Sequence, residues 1–210
     1  MISIFEGLKV ITLTGGPGGN KSGYLKQLAG ETLYASQIQF VEEVAARVLR
    51  GGYPSFDDLA PAVCALLAAN LQDLIYATQQ TVNKAAVIVG RAKHKVAVCL
   101  DRGTADGAAY HPEGLEGFCN HHKVSADELM SEAGLVIHFE TLAVKDPVLY
   151  EELRRRNPER RENAEQAVEL DRKLHKVYEC HPNRVIIPAE ASLFVKTAKA
   201  TEAVSAFMES

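Results

Sequence analysis

No stretch of the chain approaches the ~18 to 20 consecutive uncharged apolar residues that cross a bilayer as a helix; Ala85 to Val89 is only part of a shorter apolar patch. A membrane-spanning helix is therefore not expected. Neither sign of charge dominates. The 23 Lys and Arg against 27 Asp and Glu leave a formal net charge of -4 and a pI near 6, which argues against a nucleic-acid duplex as principal partner and leaves room only for a local basic patch. The four cysteines, Cys64, Cys99, Cys119 and Cys180, lack paired spacing, and a reduced, cytoplasmic compartment is the simplest reading. Internal repeats and low-complexity tracts are absent. The first residues are apolar, but with only Lys9 as a nearby positive charge they run into a glycine-rich segment rather than a small-residue cleavage site. They read as a core strand and not as a leader. What is present, 47% hydrophobic and 24% charged residues over 210 positions, suits one α/β domain able to bury its core without disulfides or metals.

The chain is organised around Gly15-Gly16-Pro17-Gly18-Gly19-Asn20-Lys21-Ser22, which follows the apolar run from Leu8 to Thr14 and precedes a helix-compatible segment from Ser22 to about Gly30. A buried strand to fix the start, glycines whose backbone N–H groups can curl around a phosphate, and a helix N-terminus behind them are the parts of a phosphate-binding loop. Lys21 would reach the β- and γ-phosphates as a point charge, and the Ser22 hydroxyl would sit on Mg²⁺. The pattern G-x-x-x-x-G-K-S/T starts at Gly15, so its second fixed glycine falls on Asn20. Two readings follow. Asparagine tolerates a left-handed backbone best among non-glycine residues, so the loop keeps its shape; a side chain beside the phosphates could still crowd them.

Further along, Gln37 to Val41 reads as a second strand and Glu42 to Arg50 as a helix closed by Gly51-Gly52. Glu42 or Glu43 would lie at the carboxyl edge of the sheet, where substrate or Mg²⁺ binds, although Glu43 and Arg47, four apart, have the spacing of a helix-face pair. Pro61 starts a long helix that reaches at least Asn83 and up to Val89. Val63, Leu66, Leu67, Leu71, Leu74, Ile75 and Val82 mark it as a core helix, with Gln72 and Gln79 on solvated surface by default. A polar turn at Gly90 to His94 leads to a third strand, Lys95 to Leu100, ending in Asp101. A carboxylate there can hold magnesium or its water against phosphates. Gly107 to His122 reads as an exposed, loop-rich lining of an acceptor pocket. Cys119 and His122 supply at most half of a zinc site. Arg154, Arg155, Arg156, Arg160 and Arg161 crowd the segment from 141 to 163, with Asn157-Pro158 interrupting the helix. Such a run reads either as a lid that stabilises phosphoryl charge or as a solvated face paired with Glu151, Glu152, Glu159 and Glu162. A helix over Glu165 to Cys180, a strand at Val185 to Pro188 and a helix over Ser192 to Phe207 close the chain.

The stretch Asp101-Arg102-Gly103-Thr104-Ala105-Asp106-Gly107-Ala108-Ala109-Tyr110 resembles the P-loop kinase-like AAA ATPase family. That family also contains the bacterial nicotinamide riboside kinase domain and a guanine-nucleotide-binding protein of photoreceptor channel trafficking. Gly15 to Ser22 fits its first motif except at Asn20. Val136 to Thr141 resembles its fourth strand and the start of its lid, and Arg161-Glu162, Gln166-Ala167, Asp171, Tyr178 and His181-Pro182 resemble its C-terminal part. Two further departures are Asn83, where an acid is expected, and the spacing of the glutamate after the second strand. Five strand candidates separated by helices already give an α/β fold with a mainly parallel five-stranded sheet. The resemblance implies the three-layer P-loop NTPase version with order 2-3-1-4-5, in one domain over 1–210 with a lid at about 141–163.

The leading expectation is a protein that uses ATP and Mg²⁺ for phosphoryl transfer to a small, nucleoside-like acceptor. GTP is not excluded, since ATP is preferred only because no Asn-Lys-x-Asp motif occurs. Lys21 and the loop from Gly15 through Gly16, Pro17, Gly18, Gly19 and Asn20 would hold phosphates, and Ser22 and Asp101 the magnesium. Arg161, which stands at the family's arginine, would meet the developing charge with Arg156 next, and Glu43 or Asp106 would orient the acceptor. The alternatives are a nucleotide-responsive switch module with little or no turnover, favoured by Asn20, and a nucleotide-blind scaffold of the same fold.

Overall fold

A computed structural model describes residues 7–55, 58–156, 161–190 and 192–210. The sequence readings at residues before Gly7, and at Asn157-Pro158, Glu159 and Arg160, lie outside the described residues. In chain order the elements are β1 (Lys9–Thr14), α1 (Lys21–Gly30), α2 (Thr32–Gln37), β2 (Ile38–Val41), α3 (Val44–Arg50) and α4 (Pro61–Ala92). There follow β3 (Ala97–Asp101), a 3₁₀ segment (Thr104–Ala109), α5 (Gly114–His122), α6 (Ala126–Ser131) and β4 (Leu135–Phe139). The chain closes with α7 (Leu142–Lys145), α8 (Pro147–Arg155), α9 (Ala164–Val177), β5 (Arg184–Ile187) and α10 (Leu193–Glu209).

The five strands form one parallel sheet in the order β2-β3-β1-β4-β5, as expected. Helices cover both faces, so the central strands are apolar without alternation: Ile11, Leu13, Val98, Cys99, Val136 and Ile137 are all fully buried. Register then decides what meets at the carboxyl edge. Leu13 pairs with Asp101, and Thr14 pairs with His138, so the ends of β3 and β4 flank the point where β1 releases the glycine loop.

Several boundaries differ from the sequence reading. Gln37 ends α2 rather than starting β2, and α3 begins at Val44, which leaves Glu42 and Glu43 outside the helix. The region 107–122 is largely helical, with Ala108, Ala109 and Phe118 packed into a core around Tyr76, Leu174 and Tyr178. It is not an exposed loop. Helix α4 runs on through Gly90, whose buried backbone lies alongside Gln39, Leu8 and Lys95. Its 32 residues span about 48 Å, longer than the sheet beneath. Only its later part, Tyr76, Gln79, Asn83, Ala86, Val87 and Gly90, is buried together with Leu71; Val63, Leu66 and Leu74 are exposed. The helical period was read correctly, but its first turns overhang the domain. Gln79 is buried and not solvated, because its amide donates to Asn83 Oδ1 at 2.7 Å.

Candidate phosphate-binding site

The loop between β1 and α1 is held from outside, which explains its glycines. Gly15 (φ +120°) passes so close to the backbone of Phe139 at the end of β4 that a Cβ would overlap the carbonyl, and Gly18 (φ +78°) runs 2.9 Å short of the Tyr150 ring on the same measure. Thr141 adds a short hydrogen bond from its hydroxyl to Pro17 O. Asn20 is left-handed (φ 76°, ψ 25°) and is the residue just before α1, as its tolerance for that region predicts. Its amide folds back over the first turn of α1 onto Gly23: a Cβ at 23 would lie 3.0 Å from Asn20 Cγ and closer still to Oδ1. The missing side chain at 23 therefore makes the room that the extra side chain at 20 needs.

Behind the loop, Lys21 is buried and its ammonium donates to Gly15 O at 2.7 Å and Gly16 O at 2.9 Å. Burial, reinforced by the charge of Arg102, lowers its pKa to about 8 against the pull of Asp101, Glu43 and Asp106. One residue on, the Ser22 hydroxyl donates to Asp101 Oδ2 at 2.5 Å. The other oxygen, Oδ1, is buried with no hydrogen-bond partner among the described residues. Burial raises the Asp101 carboxyl above its usual range, opposed by the charge of Lys21 and the bond from Ser22. An orphaned carboxylate oxygen beside a hydroxyl is a hard-oxygen donor set, and it fits Mg²⁺.

Arg102, on which the sequence reading placed no role, organises the next layer. Itself left-handed (φ 84°), it donates through its guanidinium to Glu43 Oε1, Gly15 O and Asp106 Oδ2, each at 3.2 Å, and its backbone N–H donates to Leu13 O at 2.9 Å. Glu43 therefore pairs with Arg102 and not with Arg47, which meets the exposed Glu42 at 2.8 Å. With α3 starting after Glu43, residues 43 and 47 are not one helical turn apart. Asp106 is saturated: Thr14 donates to both of its oxygens at 3.0 Å, and Tyr178 Oη donates to Oδ1 at 2.7 Å. That buried carboxylate ties Thr14, the last residue of β1, to Tyr178 at the C-terminal cap of α9, and with both oxygens engaged it positions the site rather than an acceptor.

The side of the loop that faces α8 and α9 is anchored through two residues that sequence reasoning gave no role. Asp171 of α9 accepts from Gly16 N–H at 2.5 Å and lies 3.1 Å from His138 Nε2 at the end of β4. Burial pushes this carboxyl up, but the hydrogen bonds and charge from His138 and the Gly16 amide outweigh it and leave the group below its usual range. Tyr150, fully buried in α8, fills the space over Gly18 and donates to Glu162 O at 3.0 Å. Of the two lid arginines singled out by sequence, Arg156 closes α8 and Arg161 stands two residues before the cap of α9, and both are exposed. The loop backbone is hydrogen-bonded by the side chains of Lys21, Arg102, Thr141 and Asp171. The available signal for the α9 residues was spacing: Asp171 and Tyr178 are seven apart and so share one helix face.

A family model described as an AAA domain matches residues 10–194. Among solved structures, NadR protein in complex with NAD and AMP-PNP superposes with a TM-score of 0.66 at 16% identity, over 99% of this chain and 51% of that one. NadR protein in complex with NR gives 0.65 at 17% identity, over 97% and 50%. The chain thus spans about half the length of those proteins. Deoxyadenosine kinase from M. mycoides, with dCMP and a flexible dCDP bound as products, gives 0.61 at 12% identity, over 94% and 99%. At such identities the likeness establishes the fold alone, a P-loop kinase fold. A sequence search of curated proteins finds no match.

Proposed function

The chain belongs to the AAA domain family, and we propose on that premise that it binds a nucleoside triphosphate with Mg²⁺ and transfers the γ-phosphoryl group to a small, nucleoside-like acceptor. The observation that carries this reading is the Ser22–Asp101 pair with its orphaned carboxylate oxygen, set beside the buried Lys21 at the mouth of the glycine loop. Lys21 exchanges the carbonyls of Gly15 and Gly16 for phosphate oxygens, and the loop amides take the remaining phosphate contacts. When bound to Ser22 and Asp101, Mg²⁺ supplies charge that neutralises the β- and γ-oxygens. Glu43, held by Arg102 at the carboxyl edge, orients the acceptor hydroxyl. As the acceptor O–P bond forms, the bond from phosphorus to the bridging β,γ-oxygen breaks, the nucleoside diphosphate leaves, and the hydroxyl proton is released to solvent. Arg161 and Arg156 on the lid close over the group in flight and exclude water. The four cysteines, none in a disulfide, and the lack of a helix long and apolar enough to cross a membrane among the described residues are compatible with work in the cytosol.

A second reading, a nucleotide-responsive switch with little turnover, is favoured by the neutral Gln79–Asn83 pair, which stands where an acid is expected and leaves Asn83 Nδ2 without a partner among the described residues. Thermal melting with Mg-ATP, Mg-GTP or no nucleotide, followed by assay of acceptor-dependent ADP formation, separates the two. Ligand at ~100 times its dissociation constant stabilises by about 2.7 kcal/mol, and in Asp101→Asn that shift no longer depends on Mg²⁺. Nucleotide stabilisation without ADP formation under any acceptor favours the switch; no stabilisation by any nucleotide overturns both.

A further inference from the structure

Away from the loop, α5 ends against α4 in a cluster of three metal-ligating side chains. Asp73 Oδ1 lies 2.8 Å from His121 Nε2 and 3.7 Å from His122 Nε2, and the ligand atoms of all three lie within 4.8 Å of one another. A tetrahedral ion with bonds of about 2.0 to 2.2 Å needs its donors about 3.2 to 3.6 Å apart, inside that range. Consecutive residues on a helix normally diverge by about 100°. Here they are the last two residues of α5, before Lys123 turns left-handed (φ 54°), and both rings converge on one carboxylate oxygen.

The convergence is built from below. His122 stacks at 4.1 Å on Tyr76 of α4 and at 4.4 Å on Phe118, one turn earlier in α5, and His121 meets His122 edge-on at 4.7 Å. Phe118 in turn packs so tightly over Gly107 that a Cβ there would come within 2.7 Å of its ring. The aromatic bed fixes one imidazole, while Asp73 and His121, each about half exposed, leave the outer face open to water. All three donors stand on helices rather than on a mobile loop, which limits the reorganisation that binding requires.

We propose that Asp73, His121 and His122 form a binding site for a divalent transition-metal ion of the Zn²⁺ class, clasping α4 to α5 and leaving at least one coordination position open to solvent. Two imidazole nitrogens and one carboxylate oxygen are a borderline donor set, which suits Zn²⁺, Co²⁺ or Ni²⁺ and disfavours Mg²⁺ or Ca²⁺. This differs from the half-site that spacing suggested. Cys119 packs against the Phe118 core instead, and the third ligand comes from 48 residues upstream. The site is separate from the Ser22–Asp101 pair and does not depend on the nucleotide reading.

The test is calorimetric titration of the full chain, stripped with chelator, with ZnCl₂ in the presence of excess Mg²⁺ and without nucleotide, repeated with CoCl₂ to read the visible spectrum. One ion per chain is expected, with a cobalt spectrum free of thiolate charge transfer and unchanged in Cys119→Ser. Asp73→Ala and His121→Ala, both at exposed positions where the fold tolerates truncation, weaken binding at least tenfold. An absence of saturable Zn²⁺ and Co²⁺ binding, or binding that both variants leave unchanged, overturns the proposal and reduces the cluster to a surface ion pair.

Discussion

If the Asn20 amide rests on the space above Gly23, the two positions are energetically coupled, and the coupling is measurable. Replacing glycine by alanine inside a helix ordinarily stabilises by up to about 1 kcal/mol. At 23 the new methyl would meet Asn20 Cγ at 3.0 Å and Nδ2 at 3.2 Å, and Oδ1 more closely, so the amide must swing away. Displacing that side chain over the exposed Gly23 costs about 0.5 to 1.5 kcal/mol, which cancels much of the helix gain. In an Asn20→Gly background the obstruction is gone, and the left-handed backbone at 20 (φ 76°) suits glycine better than any other residue. There Gly23→Ala should recover its full stabilisation. Urea denaturation of the four proteins of the cycle should therefore give a coupling of about 0.5 to 1.5 kcal/mol. Equal stabilisation by Gly23→Ala in both backgrounds would refute the account, because it would put the Asn20 side chain somewhere else. The same four proteins melted with Mg-ATP test the consequence for ligand binding. An amide parked on the helix leaves the nucleotide-induced shift of the native protein close to that of Asn20→Gly. A shift that appears only in Asn20→Gly would mean a blocked cradle, and the phosphoryl-transfer reading would fall.

Two shorter predictions follow from neighbouring groups. Lys21, lowered to about 8 in the free protein, is held protonated by a bound phosphate, so binding takes up a proton above that pH; nucleotide affinity measured by titration should be flat below pH 7 and about tenfold weaker at pH 9, and a flat profile across that span would contradict it. Tyr178→Phe removes a buried donor at 2.7 Å from Asp106 and should cost about 1 to 3 kcal/mol in urea denaturation; a loss under 0.5 kcal/mol by that scale would mean that Thr14 and Arg102 alone satisfy the carboxylate.

How much of this was legible in the sequence depended on whether the signal was local. Gly15 to Ser22 and the apolar run ending in Asp101 each carry their chemistry within a few residues, and the fold brings them together as a parallel sheet must. The left-handed Asn20 was equally readable, since it is a property of one residue. Its partner was not, because the relation between Asn20 and Gly23 is a side-chain direction and no spacing rule reports it. Arg102, saturated Asp106 and Asp171 were invisible as roles for a different reason: each is defined by contacts with residues tens of positions away. Helix α4 shows the opposite failure. Its periodicity is real, yet Leu66 and Leu74 are exposed, because period reports which residues share a face and not how far the neighbouring sheet extends.

The link from α9 to the glycine loop can be tested at Asp171, where charge and hydrogen bonding are separable. Its carboxylate takes the Gly16 amide at 2.5 Å and faces His138, whose Nδ1 is buried without a partner among the described residues. Asp171→Asn keeps an acceptor for Gly16 but removes the charge, whereas Asp171→Ala removes both and leaves a buried amide unsatisfied, at a cost of about 1 to 3 kcal/mol. The pH dependence distinguishes the two effects. Because the folded carboxyl lies below its usual range, it contributes stability that is present above the unfolded value of 3.8 and is lost as pH falls through the folded value. Acid unfolding of the native protein should therefore be steeper below pH 4 than that of Asp171→Asn, while Asp171→Ala is weaker at every pH. If Asp171→Asn and Asp171→Ala melt alike at neutral pH, the Gly16 hydrogen bond contributes nothing. Among the described residues, Tyr150 and Thr141 would then remain to fix α7 and α8 against the glycine loop.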